Sequence, residues 1–126
     1  MEIQHVAIAI SDLERTRSFY EDGLGLSYAW DFHTDDGIHN YYVTGSGLDT
    51  WVQFVYDPTS DEPIEPNGIV HLAMEVEDVD ATLDDIVNKT GCPVRKGPLT
   101  IEAANARAAF IEDPDGYEIE LFARRE

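Results

Sequence analysis

HVAIAISDLERT, residues 5–16, and HLAMEVEDVDAT, residues 71–82, are near-copies of one another. Aligned on His5 and His71, they share His, Ala, Asp and Thr, with apolar partners between. Each copy opens on an alternation. In the first, Val6, Ile8 and Ile10 point one way and Ile3, His5, Ala7 and Ala9 the other, which is the two-residue period of a pleated strand. In the second, Val70, Leu72, Met74 and Val76 oppose His71 and Ala73. An aspartate follows as a helix N-cap, Asp12 in the first copy and Asp78 or Asp80 in the second. Apolar residues then recur at helical spacing: Leu13, Thr16, Tyr20 and Leu24, then Val79, Leu83, Ile86 and Val87. Gly23 and Gly25 end the first helix, and Gly91 ends the second.

Further strands follow each helix. In the first half they lie near 27–34, 38–45 and 50–56, joined by Asp35-Asp36-Gly37 and Gly45-Ser46-Gly47 turns. In the second half they lie near 93–96, 99–102, 106–112 and 117–123, the last set up by Asp113-Pro114-Asp115-Gly116. Each half reads β-α-β-β-β, with one short strand more in the second. The fold class is therefore α+β, a tandem duplication within one domain, 1–126. Module one spans about 1–57, module two about 69–126, and the Pro- and acid-rich residues 58–68 link them.

Each half also ends in a strand with a polar residue in its middle, Trp51-Val52-Gln53-Phe54 and Glu118-Ile119-Glu120-Leu121. Gln53 stands 48 positions after His5, and Glu120 stands 49 after His71. Each module thus offers one imidazole and one side-chain oxygen, and four such groups suit a divalent metal. A lone strand histidine is usually a satisfied core residue, and Gln53 alone reads as a buried amide. Two histidines at equivalent places in a repeat are harder to dismiss. A carboxylate inside an apolar strand costs several kcal/mol if unpaired, which a metal at Glu120 would relieve. Beside each histidine stand small alanines, which leave room for something other than a side chain. With Gln53 neutral, such a site with M²⁺ would carry a formal +1, making the metal a stronger Lewis acid.

The other candidates are weaker. His33 and His39 read as loop or edge residues, and Arg15 and Arg17 as the exposed face of the first helix. Arg107 stands among alanines in a strand, where it could hold a substrate carboxylate. Trp51, Tyr41 and Tyr42 are core or cleft-wall residues. Cys92, the single cysteine, excludes an internal disulfide and shows no sign of activation.

Composition narrows the function classes. The chain has 126 residues, 43% hydrophobic, enough for one domain with a sizeable core and too apolar for disorder. No apolar run approaches the ~20 residues that span a bilayer, and the N-terminus goes straight into a strand with no signal peptide. The expectation is a cytoplasmic protein. Its net charge is −18, from 26 acidic and 8 basic residues. Such a surface repels nucleic acid and anionic membranes. The acid is spread along the chain, which fits a solvated skin like that of cytoplasmic proteins in salt-loving microbes. A surface built for a cationic partner is the other reading.

HVAIAISDLERTRSFYEDGLGL, GIVHLAMEVEDVDA and AAFIEDPDGYEIELF together resemble the vicinal oxygen chelate superfamily, and its glyoxalase I (lactoylglutathione lyase) branch in particular. The resemblance covers essentially the whole chain. It implies paired βαβββ modules whose curved mixed sheets enclose a metal cleft. It also implies a homodimer with sites at the subunit interface, each holding one divalent ion: Ni, Co, Zn, Mn or Fe. Carried over, the metal positions fall on His5, Gln53, His71 and Glu120, the four that the repeat picks out. The implied reaction converts the hemithioacetal of a 2-oxoaldehyde and a thiol to a 2-hydroxyacyl thioester, with Glu120 moving the proton.

This chain departs from the pattern at Ala9, where relatives often have Arg, and at Asp57, where they have Asn; basic residues before DPDG are also few. All three weaken a glutathione site, so the thiol stays open. Other enzymes of the superfamily remain as alternatives: methylmalonyl-CoA epimerase, extradiol dioxygenases and fosfomycin-type thiol transferases. A non-catalytic binding protein of the same fold is a further one.

Overall fold

The computed structural model describes residues 3–46 and 50–125. The chain divides into two compact units, Met1–Ile64 and Glu65–Glu126, a division that falls inside the 58–68 linker. Gly47 of the expected Gly45-Ser46-Gly47 turn lies outside the described residues.

The first unit runs β1 (His5–Ile10), α1 (Leu13–Arg17, continued as a wider π turn through Ser18–Gly23), β2 (Ser27–His33), β3 (His39–Thr44) and β4 (Trp51–Tyr56). Its sheet order is β1-β4-β3-β2. β1 and β4 are parallel, while the other pairs are antiparallel. Two parallel neighbours need a long crossover, and here α1, β2 and β3 supply it. Asp12 is the N-cap: its side chain accepts from the Arg15 amide at 2.9 Å. Ile8 and Ile10 are buried with Phe19, Tyr20 and Phe54. The Tyr20 and Phe54 rings sit 4.7 Å apart. His5, Ala7 and Ala9, on the other face of β1, are exposed within the chain.

The second unit repeats the order: β5 (Leu72–Glu75), α2 (Val79–Thr90), β6 (Val94–Ile101), β7 (Ala106–Glu112) and β8 (Glu118–Arg124), with sheet order β5-β8-β7-β6. Of the two possible caps it is Asp78 that accepts from the Ala81 amide, at 3.0 Å. Gly91 closes the helix in the left-handed conformation, φ 67°. Val79, Leu83 and Ile86 are the buried stripe of α2, each contributing about 1.5–3 kcal/mol by leaving water.

Two elements differ from expectation. The short strands near 93–96 and 99–102 are one strand, β6, whose register with β7 slips twice between Val94 and Leu99. The second slip spans Gly97-Pro98, which the strand absorbs as a bulge. At Gly97, φ is +88° and an added Cβ would lie 2.9 Å from the Ala108 carbonyl oxygen, so only glycine fits. The strand around His71 is also shorter than its alternation suggests, beginning at Leu72 and leaving Val70 79% exposed. Among the described residues no helix is long and apolar enough to cross a membrane.

Candidate metal centre

The parallel pairs place the candidate ligands. In the first unit His5 pairs with Trp51 and Ala7 with Gln53. Residues two apart share a face, so His5 and Gln53 lie on one face, diagonal across the β1–β4 pair. In the second unit Ala73 pairs with Glu120, and His71 stands two residues before Ala73. The same diagonal therefore recurs. The third strand repeats the pattern too: Tyr42 is opposite Gln53, and Phe110 is opposite Glu120. Each of these rings meets its unit's histidine edge-on, with centroids at 5.6 Å for Tyr42 and 5.9 Å for Phe110.

The donor atoms are aimed by their neighbours. Gln53 Nε2 donates to Asn40 Oδ1 at 2.8 Å, so the amide presents Oε1, its only ligand atom, on the other side. Asn40 is itself buried, and its Nδ2 donates to the Ile38 carbonyl at 3.4 Å. His5 Nδ1 lies 2.9 Å from Gln4 Oε1, which leaves Nε2 as the free donor. His71 sits between two carboxylates, Nδ1 3.8 Å from Glu118 Oε2 and Nε2 3.3 Å from Glu120 Oε1. Arg95 holds Glu118 in turn, with Nη1 3.7 Å from Oε1. A carboxylate on the far nitrogen supports a metal-binding histidine when it accepts a hydrogen bond; at 3.8 Å Glu118 is near that position without making the bond.

Within the second unit, His71 and Glu120 offer donor types that a divalent metal takes. Glu120 is 9% exposed, between the buried Ile119 and Leu121. Its ion-pair partner among the described residues is His71. Two ligands each about 2.1 Å from a metal, at about 90–105° to each other, stand about 3.0–3.3 Å apart. The His71 Nε2 to Glu120 Oε1 distance, 3.3 Å, matches that spacing.

Arg107 is placed differently from its expected role. It lies three residues from Phe110 on a strand of unbroken register with β8, hence on the face opposite Glu120. There its Nε and Nη2 donate to both oxygens of Asp80, each at 2.9 Å, and Nη1 donates to Thr100 at 3.2 Å. Those hydrogen bonds hold the Asp80 carboxyl below the usual range. Arg107 is thus a clamp between β7 and α2, already committed to a carboxylate of its own chain.

Sequence reasoning did not find Asn40, Glu118 or Arg95. Asn40 carries a signal, a polar residue between apolar ones in a strand. Glu118 carries another, standing two residues before Glu120 and hence on its face. On the His5 face the sequence marks Tyr42 and Trp51 as wall residues, but not Trp30 and Phe32. Trp30 stacks on Tyr42 at 4.7 Å and on Phe32 at 5.1 Å, with Trp51 6.1 Å away. Trp30 and Phe32 remain 40% and 37% exposed.

The profile of the Glyoxalase/Bleomycin resistance protein/Dioxygenase superfamily matches residues 2–121. A probable lactoylglutathione lyase of Synechocystis sp. is 32% identical, over 96% of this chain and 94% of the relative. The trypanothione-dependent glyoxalase I of Leishmania major superposes with a TM-score of 0.81 at 27% identity, covering 98% of this chain and 86% of that one. An antibiotic binding protein from Streptomyces sp. superposes at 0.80 with 27% identity, covering 98% and 96%.

Proposed function

Because the chain belongs to the Glyoxalase/Bleomycin resistance protein/Dioxygenase superfamily, we propose that it is a glyoxalase I-type isomerase. Its substrate is the hemithioacetal of a 2-oxoaldehyde and a thiol, and its product a 2-hydroxyacyl thioester. The observation that carries this is the repeated diagonal, His5 with Gln53 and His71 with Glu120, each with its donor atoms aimed. These four residues are the proposed ligands of one divalent metal per site. Both units together are read as one domain, and two copies of the chain as a homodimer that completes the sites.

When bound, the metal supplies positive charge that stabilises the negative charge developing on the substrate's two neighbouring oxygens. The protein's own residues do the rest. Glu120 Oε takes the proton from the carbon bearing sulfur and returns it to the adjacent carbon, so the reaction is an isomerisation with no net proton change. Gln53 has no basic site and serves as a neutral ligand, its oxygen fixed by Asn40. Glu118 stands beside His71 Nδ1 at 3.8 Å, an ionic neighbour rather than a hydrogen-bond partner. The thiol is left open by Ala9 and Asp57, and solved relatives include one named for a thiol other than glutathione.

Glu120→Gln tests the assignment: turnover should fall about 10²–10⁴-fold, and full turnover with metal still bound would sink it. The assay mixes methylglyoxal with a panel of thiols in concentrated salt, comparing chelated protein with protein restored with Ni, Co, Zn or Mn. The acidic skin is read as an adaptation to a salty cytoplasm, so activity should rise with potassium chloride.

The exposed stack of Trp30, Phe32 and Tyr42 favours a second reading, a binding protein for a planar apolar molecule. An antibiotic binding protein among the similar structures supports it. Metal-free protein that quenches its tryptophan fluorescence on binding a flat aromatic ligand, with no isomerase activity under any metal, would favour it.

A further inference from the structure

The hairpin of β2 and β3 carries a second group of ligand-capable side chains. His33 and His39 are direct partners across the antiparallel pair, and Asp31 stands two residues before His33. All three therefore share one face. That face also bears Tyr41 and is the opposite of the one bearing His5, Tyr42 and Gln53. The two imidazoles stack at 3.9 Å between centroids, 17° from parallel. His39 Nε2 lies 2.8 Å from Asp31 Oδ2. One ligand atom from each of the three residues falls within 4.8 Å of the others. The Tyr28 hydroxyl donates to the other Asp31 oxygen, and this bond, with help from His39, holds the carboxyl below its usual range.

One proton shared between His39 and Asp31 satisfies those two groups. His33 then has no hydrogen-bond partner among the described residues. A metal resolves all three groups at once. We propose that Asp31, His33 and His39 form a second divalent-metal site, separate from the His5, Gln53, His71 and Glu120 set. Two imidazoles and one carboxylate suit Zn²⁺, Ni²⁺, Co²⁺ or Cu²⁺ rather than Mg²⁺ or Ca²⁺, which take oxygen ligands. Binding expels the proton between His39 Nε2 and Asp31 Oδ2. Three protein ligands leave further positions to water. The exposed site is therefore the weaker of the two, and its effect is to pin the two strands of the hairpin together.

The test is a titration of chelator-stripped full-length protein with Zn²⁺, and separately with Co²⁺ followed by its visible absorption. Concentrated potassium chloride suppresses loose cation binding to the acidic surface. Wild type should take two equivalents per chain. His33→Gln and Asp31→Asn should each lose the weaker equivalent and keep isomerase activity, with unchanged circular dichroism. His71→Gln should lose the tighter equivalent and keep the weaker one. A stoichiometry indifferent to His33→Gln and Asp31→Asn would overturn the second site. So would a single equivalent that disappears only in His71→Gln. A single equivalent that survives His71→Gln and disappears in His33→Gln would uphold it and overturn the ligand set of the proposed function instead.

Discussion

Asn40→Leu should strip the proposed metal site of one correctly aimed ligand without touching any ligand atom. In the wild type, Asn40 Oδ1 accepts from Gln53 Nε2 at 2.8 Å, and Asn40 is held in that orientation by its own bond to the Ile38 carbonyl at 3.4 Å. Leucine has a similar branched outline, though bulkier, but accepts nothing. Gln53 is then free to rotate its amide, and half of the resulting orientations present N–H groups, which cannot bind a metal. Loss of such an outer partner typically costs about 10–100-fold in metal affinity, or about 1.4–2.7 kcal/mol. Asn40→Asp keeps an acceptor at the same place and should keep the affinity. Competition with a coloured chelator for Zn²⁺ or Ni²⁺ measures both variants on one scale. The reasoning fails if Asn40→Leu holds metal as tightly as wild type. It fails equally if the Asp and Leu variants lose the same amount, because the effect would then come from disturbed packing.

Three further outcomes follow from the structure. Tyr41 has its hydroxyl raised to about 12 by burial and by donating to Glu21 at 2.6 Å. The unfolded value is near 10, so stability present below about pH 10 should be lost as the pH rises toward about 12. Urea midpoints should therefore fall more steeply over that range than in Tyr41→Phe. Gly97→Ala should cost more than about 2 kcal/mol, since its Cβ would meet the Ala108 carbonyl at 2.9 Å at a φ of +88°; thermal unfolding that matches wild type would refute this. Thr16 is wholly buried, and its hydroxyl has no partner among the described residues. Thr16→Val should raise stability by about 1 kcal/mol, and a loss in denaturant titration would show that the hydroxyl is satisfied.

Much of the candidate site was legible because the duplication brings two independent readings to one question. His5 and His71 each carry an ambiguous signal, and their equivalence removes most of the ambiguity. The oxygens Gln53 and Glu120 follow from spacing. Arg107 shows where such reading stops. Its alanine neighbours make it conspicuous, but the face it takes depends on which side of the sheet α2 covers, and on that side Asp80 engages it. His33 and His39, each taken singly, read as loop or edge residues. Only the hairpin register makes them partners.

The order β-α-β-β-β, its repetition, the caps at Asp12 and at Asp78 or Asp80, and the four candidate ligands are all local or periodic properties. They depend on hydrogen bonds within a turn or on a side-chain period of two or 3.6 residues, and these are written in consecutive residues. Tertiary structure alone decided which face meets which. Strand register brought Asn40 to Gln53, Glu118 to His71, Arg95 to Glu118, and Asp31 to His39. Register is fixed by turns, bulges and packing distant in sequence, and a slip of one residue would exchange every face.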